Sequence, residues 1–368
     1  MAQKKKTASK KRSTTRSAAK TKSSTTTKRA TTVRVGIDLG TSRSAISASN
    51  GKREWVESYV GWPKDFISEK VLGASVLFGK DALDNRLSLH LHRPLAQGVI
   101  KEGIDRDEEA VQELMAHLLD LAGISEGQTV YAVVGVPAES LRSNKLAIKK
   151  AVPEYVSSLM VVSEPFAAAY GRGVLNNAIV IDIGAGTVDF CIMHGSMPSD
   201  DDQRTILHAG DYIDQQLYNM MKEKYPDSDF NLNMVRQFKE KHAFVGKHKG
   251  SVEVDIPVGG RPMLHDITDE MQRACESIVP PILENTFELI ARFDPEYQGI
   301  VRQNIILAGG GSQIGGLAKY LEENLREDGP CQVTIVKDPI FAGSDGGLAL
   351  AQDMPDQYWE DLMAEEEY

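Results

Sequence analysis

Two rhythms of apolar positions, one of period two and one of helical period, alternate along this chain. Residues 33–38 form a compact apolar run, and 44–49 alternate up to Asn50-Gly51, a dipeptide that favours the tight turn of a hairpin. With 52–59 these segments predict a three-stranded antiparallel meander. From Val60 to about Gly98 the pattern loses its regularity and gathers Gly, Pro and His, which predicts a small inserted subdomain. Over 104–121, Val111, Leu114, Met115, Leu118 and Leu119 recur at helical spacing and predict an amphipathic helix. A continuous apolar strand follows at 130–136, ended by Pro137. Then come a helix over 141–151, a short strand at 159–162 and a helix opened by Pro165, whose missing N–H costs nothing in a first turn. Strands alternating with helices imply a mostly parallel sheet with covered faces.

The second half repeats this order. Strands at 178–183 and 187–193 precede an acidic loop at 199–202 and the segment 204–208. Gly210 leads into a helix over 212–224, and a second helix spans 232–244. A strand at 252–257 sits in what reads as a second inserted subdomain. One long helical stretch, 267–293, is strained around Pro280-Pro281. A strand at 304–308, a helix at 317–325, a strand at 333–336 and a last helix at 347–353 complete the body. The acidic end, 359–368, reads as frayed.

The repeat carries chemistry at its strand ends. In Val180-Ile181-Asp182-Ile183-Gly184-Ala185-Gly186-Thr187-Val188-Asp189 a strand stops at an acid, turns on glycines and restarts. Val35-Gly36-Ile37-Asp38-Leu39-Gly40-Thr41-Ser42 does the same. Glycines in such turns can take positive φ and carry no Cβ, so backbone N–H groups can approach a phosphate. An acid at the strand end suits a hard cation such as Mg²⁺, which keeps waters and takes few carboxylates. Either copy alone is equally an ordinary glycine hairpin; two copies sharing acid and turn point to a duplicated chain holding a nucleotide between its halves. Thr187 and Asp189 remain readable as plain strand residues.

Charge and composition narrow the class. Apolar residues make up 41% and charged residues 26%, ordinary for a globular protein. Cys191, Cys275 and Cys331 are odd in number and form no C-x-x-C pair, which predicts reduced thiols in a cytoplasm without a disulfide or zinc framework. No apolar run approaches the roughly 18 residues of a membrane span. The net charge of −10 conceals an asymmetry: residues 1–30 hold eight Lys, three Arg and no acid, leaving 31 basic against 52 acidic residues, or −21, in the remainder. The first segment is too poor in apolar residues to bury anything and reads as a disordered basic arm. It lacks the apolar region of a signal peptide. It serves either as a spacer or as an electrostatic contact to an acidic surface.

Other motifs fall away. Gly73 to Asp81 mimics a phosphate-binding P-loop, but one residue too many separates its glycines and Asp81 replaces the hydroxyl residue. No G-x-G-x-x-G opens a helix after a strand, no H-E-x-x-H occurs and no G-x-S-x-G elbow is present.

The glycine turns, the strand 130–137 and Leu307-Ala308-Gly309-Gly310-Gly311-Ser312 together resemble the phosphate-1, phosphate-2, connecting and adenosine segments of the actin, sugar kinase and heat-shock-70 superfamily. Ser163-Glu164-Pro165-Phe166-Ala167-Ala168-Ala169-Tyr170-Gly171 resembles the Glu-Pro segment of bacterial actins, as does Arg93-Pro94-Leu95 with Gly98-Val99-Ile100. Arg236-Gln237-Phe238-Lys239-Glu240-Lys241 is similar to the actin segment that holds the ribose. Val60-Gly61-Trp62-Pro63-Lys64-Asp65, Asp294-Pro295-Glu296-Tyr297-Gln298, Val336-Lys337-Asp338-Pro339 and the ending Pro355 to Trp359 resemble the magnetosome branch of those actins. The likeness runs from about residue 33 to 359. The basic arm has no counterpart in it, and the apolar membrane-insertion segment of bacterial actins is missing.

The resemblance implies an α/β, actin-like bilobal fold of two duplicated domains. The first lobe would span 31–162 with its insert near 60–98, and the second 163–336 with its insert near 210–265. Residues 337–368 would return to the first lobe and end in an acidic tail. It also implies a slow Mg-dependent ATPase that assembles with itself into a cytoplasmic cytoskeletal filament. The implied partners are organelle or filament accessory proteins, on magnetosome vesicles. Asp38 and Asp182 would hold Mg²⁺; the turns Gly40, Thr41, Ser42 and Gly184, Ala185, Gly186, Thr187 would cradle the phosphates of ATP. Glu164 and Thr187 would position the attacking water, with Glu164 favoured as an ion at a helix start. Gly210, Asp211, Lys239, Glu240, Gly309, Gly310, Gly311 and Ser312 would close around ribose and base. A small-molecule kinase on this fold would need a polar sugar site, which is not seen. A chaperone-like ATPase would need a separate β-rich domain after the nucleotide domain, and none follows.

Overall fold

The structure, a computed structural model, describes residues 32–95, 105–125, 127–138, 147–152 and 156–366. The predicted basic arm, Gly98-Val99-Ile100 and much of the predicted helix 141–151 lie outside the described residues. The chain opens with strands β1 (Thr32–Leu39), β2 (Arg43–Ala48) and β3 (Arg53–Glu57). Three short strands follow, β4 (Val60–Pro63), β5 (Leu77–Phe78) and β6 (Leu89–His92), which form their own small sheet. The helix Asp105–Leu121 then precedes β7 (Thr129–Val136) and β8 (Val156–Ser163). The first main sheet has the order β3-β2-β1-β7-β8. Its β1 runs antiparallel to β2 and parallel to β7.

The second half is built on the same plan. Strands β9 (Asn176–Ile183), β10 (Val188–His194) and β11 (Gln203–Ile206) form a meander. The hairpin β12 (Glu253–Val258) and β13 (Arg261–Asp266) stands apart from it, and β14 (Ile305–Ala308) and β15 (Val333–Ile335) complete the sheet in the order β11-β10-β9-β14-β15. Again the central strand is antiparallel to its hairpin partner and parallel to the strand on its other side.

Both sheets are covered on two faces, which explains the unbroken apolar runs of β7 and β9. On one side of the first sheet, Val35, Ile37 and Leu39 pack with Leu114, Leu118 and Leu119 of the amphipathic helix. On the other lies the helix Ala342–Asp353, rich in small residues. It comes so close to β1 that a Cβ on Gly36 would strike the backbone of Leu348 and Ser344. That approach returns the end of the chain to the first sheet. All three cysteines are free and buried.

Several expectations need correction. The long helix 267–293 is two helices, Thr268–Glu276 and Val279–Ile290, and Pro280-Pro281 open the second rather than straining one. The strand β13 and the helix Pro295–Arg302 were not anticipated. The chain end is not frayed at Trp359: Asp356–Glu366 is a helix, and the Trp359 side chain is fully buried. Among the described residues no helix is long and apolar enough to cross a membrane.

Candidate functional site

The duplicated topology brings two acids to equivalent places. Asp38, next to last in β1, lies opposite Ala45 of β2 and Gly135 of β7. Asp182, next to last in β9, lies opposite Asp189 of β10 and Ala308 of β14. Each strand then enters its glycine turn, and both turns line one cleft of about 590 Å³. Gly184 closes its turn by donating to the Thr187 carbonyl at 2.9 Å. Ser58 Oγ donates to the Gly40 carbonyl at 2.6 Å and braces the other turn from below.

Glu164 enters the same cleft as the first residue of the helix Glu164–Arg172, with Pro165 in the first turn. Its Oε1 is buried and has no hydrogen-bond partner among the described residues. Burial pushes Asp38 up to about 7. Burial, then the charges of Asp38 and Asp189, holds Asp182 well above the ordinary carboxylate range. Glu164 is raised by burial and then by Asp38, Asp182 and Asp189. Desolvation and three neighbouring carboxylates thus oppose the ionisation that the helix start favours.

The cations beside the cleft do not relieve this. Lys239 Nζ donates to the Gly210 carbonyl at 2.7 Å and pairs with Asp214, and Arg236 pairs with Asp211 and Asp214. A site with two buried acids, Glu164 and Asp182, and the half-buried Asp38, where Glu164 has an unpartnered oxygen, beside two glycine turns fits a hard divalent cation together with a polyanionic ligand. The third glycine turn adds a tight edge: Gly309 has φ +71, and a Cβ there would land on Asp182 Oδ1 and the Ile183 carbonyl.

Of the residues assigned in the sequence to nucleotide, metal or attacking water, all but three line this cleft. Gly186 sits at the hairpin tip outside it. Ser312 is buried beneath the third turn and donates to the Gly309 carbonyl at 2.7 Å. The Asp211 carboxylate is occupied by Arg93 and Arg236. Asp189 is a structural link, its Oδ1 accepting from the Ala138 amide at 2.8 Å and from Thr205 Oγ1 at 2.5 Å. Sequence reasoning did not place Arg43, Pro137, Gln313, Ile314 or Asp338-Pro339-Ile340 at the cleft, where they also lie. Asp338-Pro339 fell in a stretch with family resemblance, which was the available signal.

With this geometry in place, comparison with known proteins is specific. The chain matches the MreB/Mbl protein family over residues 32–357. The actin-like protein MamK of Paramagnetospirillum magneticum is 42% identical over 328 residues, 89% of this chain and 94% of that protein. The structure of a MamK double helical filament matches with a TM-score of 0.86 at 41% identity, covering 88% of this chain and all of the other. A non-polymerising MamK mutant bound to AMPPNP matches at the same identity and coverage with a TM-score of 0.69.

Proposed function

The chain belongs to the MreB/Mbl family of actin-like proteins, and we propose that it is a cytoskeletal ATPase that assembles with itself into filaments and turns them over by slow hydrolysis of Mg-ATP. The observation that carries this reading is the pair Asp38 and Asp182, on equivalent strand ends of two sheets with one topology, lining one cleft together with Glu164. In phosphoryl transfer the protein chiefly positions groups and stabilises charge, and these residues can do both. Asp38 and Asp182 hold Mg²⁺, which supplies charge neutralisation at the phosphates when bound. The amides of Gly40 to Ser42 and Gly184 to Thr187 bind phosphate oxygens. Gly210, Lys239, Glu240 and the Gly309–Gly311 turn enclose ribose and base.

Glu164 and Thr187 orient the attacking water. We extend the role to organising magnetosome organelles in the cytoplasm, through accessory proteins that recognise the polymer. The likeness to MamK over nearly the whole body supports this extension.

The test is sedimentation, electron microscopy and phosphate release on the full chain at micromolar concentration, with Mg-ATP, Mg-ADP or chelator. Filaments and slow phosphate release only with Mg-ATP are expected. A folded, nucleotide-bound protein that forms no polymer in any of these conditions would overturn the filament reading.

A further inference from the structure

Two glycine turns on separate sheets make one phosphate site only if something fixes the gap between them. Arg93, which does not line the cleft, bridges that gap. Its Nε donates to the Thr41 carbonyl of the first turn at 2.8 Å. Its Nη1 and Nη2 grip the Asp211 carboxylate at 2.7 and 3.2 Å, a fork that lysine cannot reproduce. Asp211 is tied in turn to the second turn through its backbone. The Asp211 amide donates to the Ala185 carbonyl at 2.7 Å, and the Gly210 amide to the Gly184 carbonyl at 3.1 Å.

We infer that Arg93 and Asp211 form a strut across the cleft that sets the separation and the peptide-plane orientation of the two turns, making Arg93 a positioning residue for the phosphates. This rests on reading the cleft as the nucleotide site. The orientation follows from peptide geometry, since the C=O and N–H of one trans peptide point in opposite directions. Holding the Thr41 carbonyl on Arg93 turns the Ser42 N–H away from it, and Thr41 and Ser42 both line the cleft. Holding the Gly184 and Ala185 carbonyls on helix amides likewise turns the Ala185 and Gly186 N–H groups the other way.

Both ends of the strut are anchored. Arg93 follows directly on β6, whose His92 ring meets Trp62 edge-on at 5.5 Å, and Leu95 is fully buried in the first core. Asp211 stands in the first turn of the helix Gly210–Lys224. Arg236 braces that end, donating to Asp211 Oδ1 at 3.1 Å and to the Tyr59 hydroxyl at 2.7 Å. The Arg93 and Asp211 side chains are 19% and 32% exposed, so the pair is partly shielded from water.

The experiment measures dissociation of a fluorescent ATP analogue and phosphate release for wild type, Arg93→Ala, Asp211→Asn, the double variant and Arg93→Lys. Arg93→Ala and Asp211→Asn are each expected to speed dissociation and slow phosphate release by about ten- to hundredfold, the scale of a small misplacement of reacting groups. The double variant should be no worse than the more affected single one, because one strut is lost in all three. Arg93→Lys keeps the charge without the fork, keeps the fold, and should still lose phosphate release. Wild-type kinetics in Arg93→Ala and Arg93→Lys, or fully additive losses in the double variant, would overturn the strut while leaving the nucleotide site standing. A wild-type chain that binds no nucleotide would instead remove the site reading, and the strut's role with it.

Discussion

Trp359 lies face to face with Tyr131, their ring centroids 4.9 Å apart and their planes 9° apart. This contact joins the helix Asp356–Glu366 to β7, and Arg34 of β1 reinforces it by pairing with Asp356 at 2.7 Å. The two parts are unequal in energy. Trp359 is wholly buried, whereas the Asp356 carboxylate is 76% exposed. Trp359→Ala is expected to destabilise the protein by about 3–5 kcal/mol, the range for a large core aromatic. Asp356→Ala should cost no more than about 1 kcal/mol, as exposed ion pairs do. Denaturant titration of both variants checks the ranking, and a Trp359→Ala loss as small as that of Asp356→Ala would contradict it.

That helix also shows where reading the sequence stopped. Its acidic residues suggested fraying, because the ring that Trp359 covers belongs to a strand far away in the chain. The central strands and glycine turns were legible, since period and turn chemistry are local properties. The break between Glu276 and Val279 was misread because prolines in a helical stretch signal either a kink or a start, and only packing decides. Most of the acids and turns were named from their own motifs. The partners of Asp211 were not, because Arg93 reaches it from the other half of the chain and Arg236 from the next helix, contacts that no local pattern shows. The upward shift of Glu164 was likewise hidden: it depends on burial first and then on Asp38, Asp182 and Asp189 converging on it.

Acidity should stabilise the nucleotide-free protein. Asp38 is raised from 3.8 to about 7 by burial, and Asp182 and Glu164 are raised in the same sense. A carboxyl whose folded pKa exceeds its unfolded one binds its proton more tightly in the fold. Its stabilising effect is complete below 3.8 and is lost as pH rises through about 7. Asp65 and Asp266 are shifted downward and act below this window, whereas His117 and His242, held below the usual imidazole range chiefly by burial, act within it in the opposite sense and are outnumbered by the three cleft acids. With chelator present, the melting temperature should therefore be higher near pH 5.5 than near pH 8. Asp38→Asn should flatten that slope and abolish the extra stability gained with Mg-ATP. An Asp38→Asn slope equal to that of the wild type would remove these acids as its cause.

Removing residues 2–30 should leave nucleotide binding intact and weaken salt-sensitive association with polyanionic surfaces. The eleven cations of this segment, with no acid among them, give a long-range attraction screened beyond about 8 Å at physiological ionic strength. The rest of the chain, at −21, is the polyanion present at highest local concentration in a polymer. Bundling of filaments, followed by light scattering across a salt series, is the first association to examine; anionic vesicles and DNA are the others. Equal bundling by full-length and truncated chains at every salt concentration would assign the arm a spacer role.

Glu164 gives the sharpest test of the catalytic reading. Its carboxyl reaches the cleft from a helix start, is 7% exposed and keeps one oxygen without a protein partner. A helix-capping role would leave the side chain bonded to its own helix amides, yet Glu164 Oε1 has no hydrogen-bond partner among the described residues. An unpartnered carboxyl oxygen on a residue that lines the cleft is suited to a water molecule. Glu164→Gln preserves volume and hydrogen-bonding capacity but cannot accept a proton, whereas Glu164→Ala removes both. If the residue acts as base, the two variants should lose phosphate release alike, on the order of 10²–10⁴-fold, with ATP affinity nearly unchanged. Assembly in this reading requires bound ATP and disassembly requires hydrolysis, so both variants should form filaments that outlast those of the wild type. Phosphate release and filament lifetime measured on the same samples decide the matter. Near-normal release in Glu164→Gln with loss only in Glu164→Ala would reduce Glu164 to a water-orienting group. Normal release in both would remove it from the chemistry.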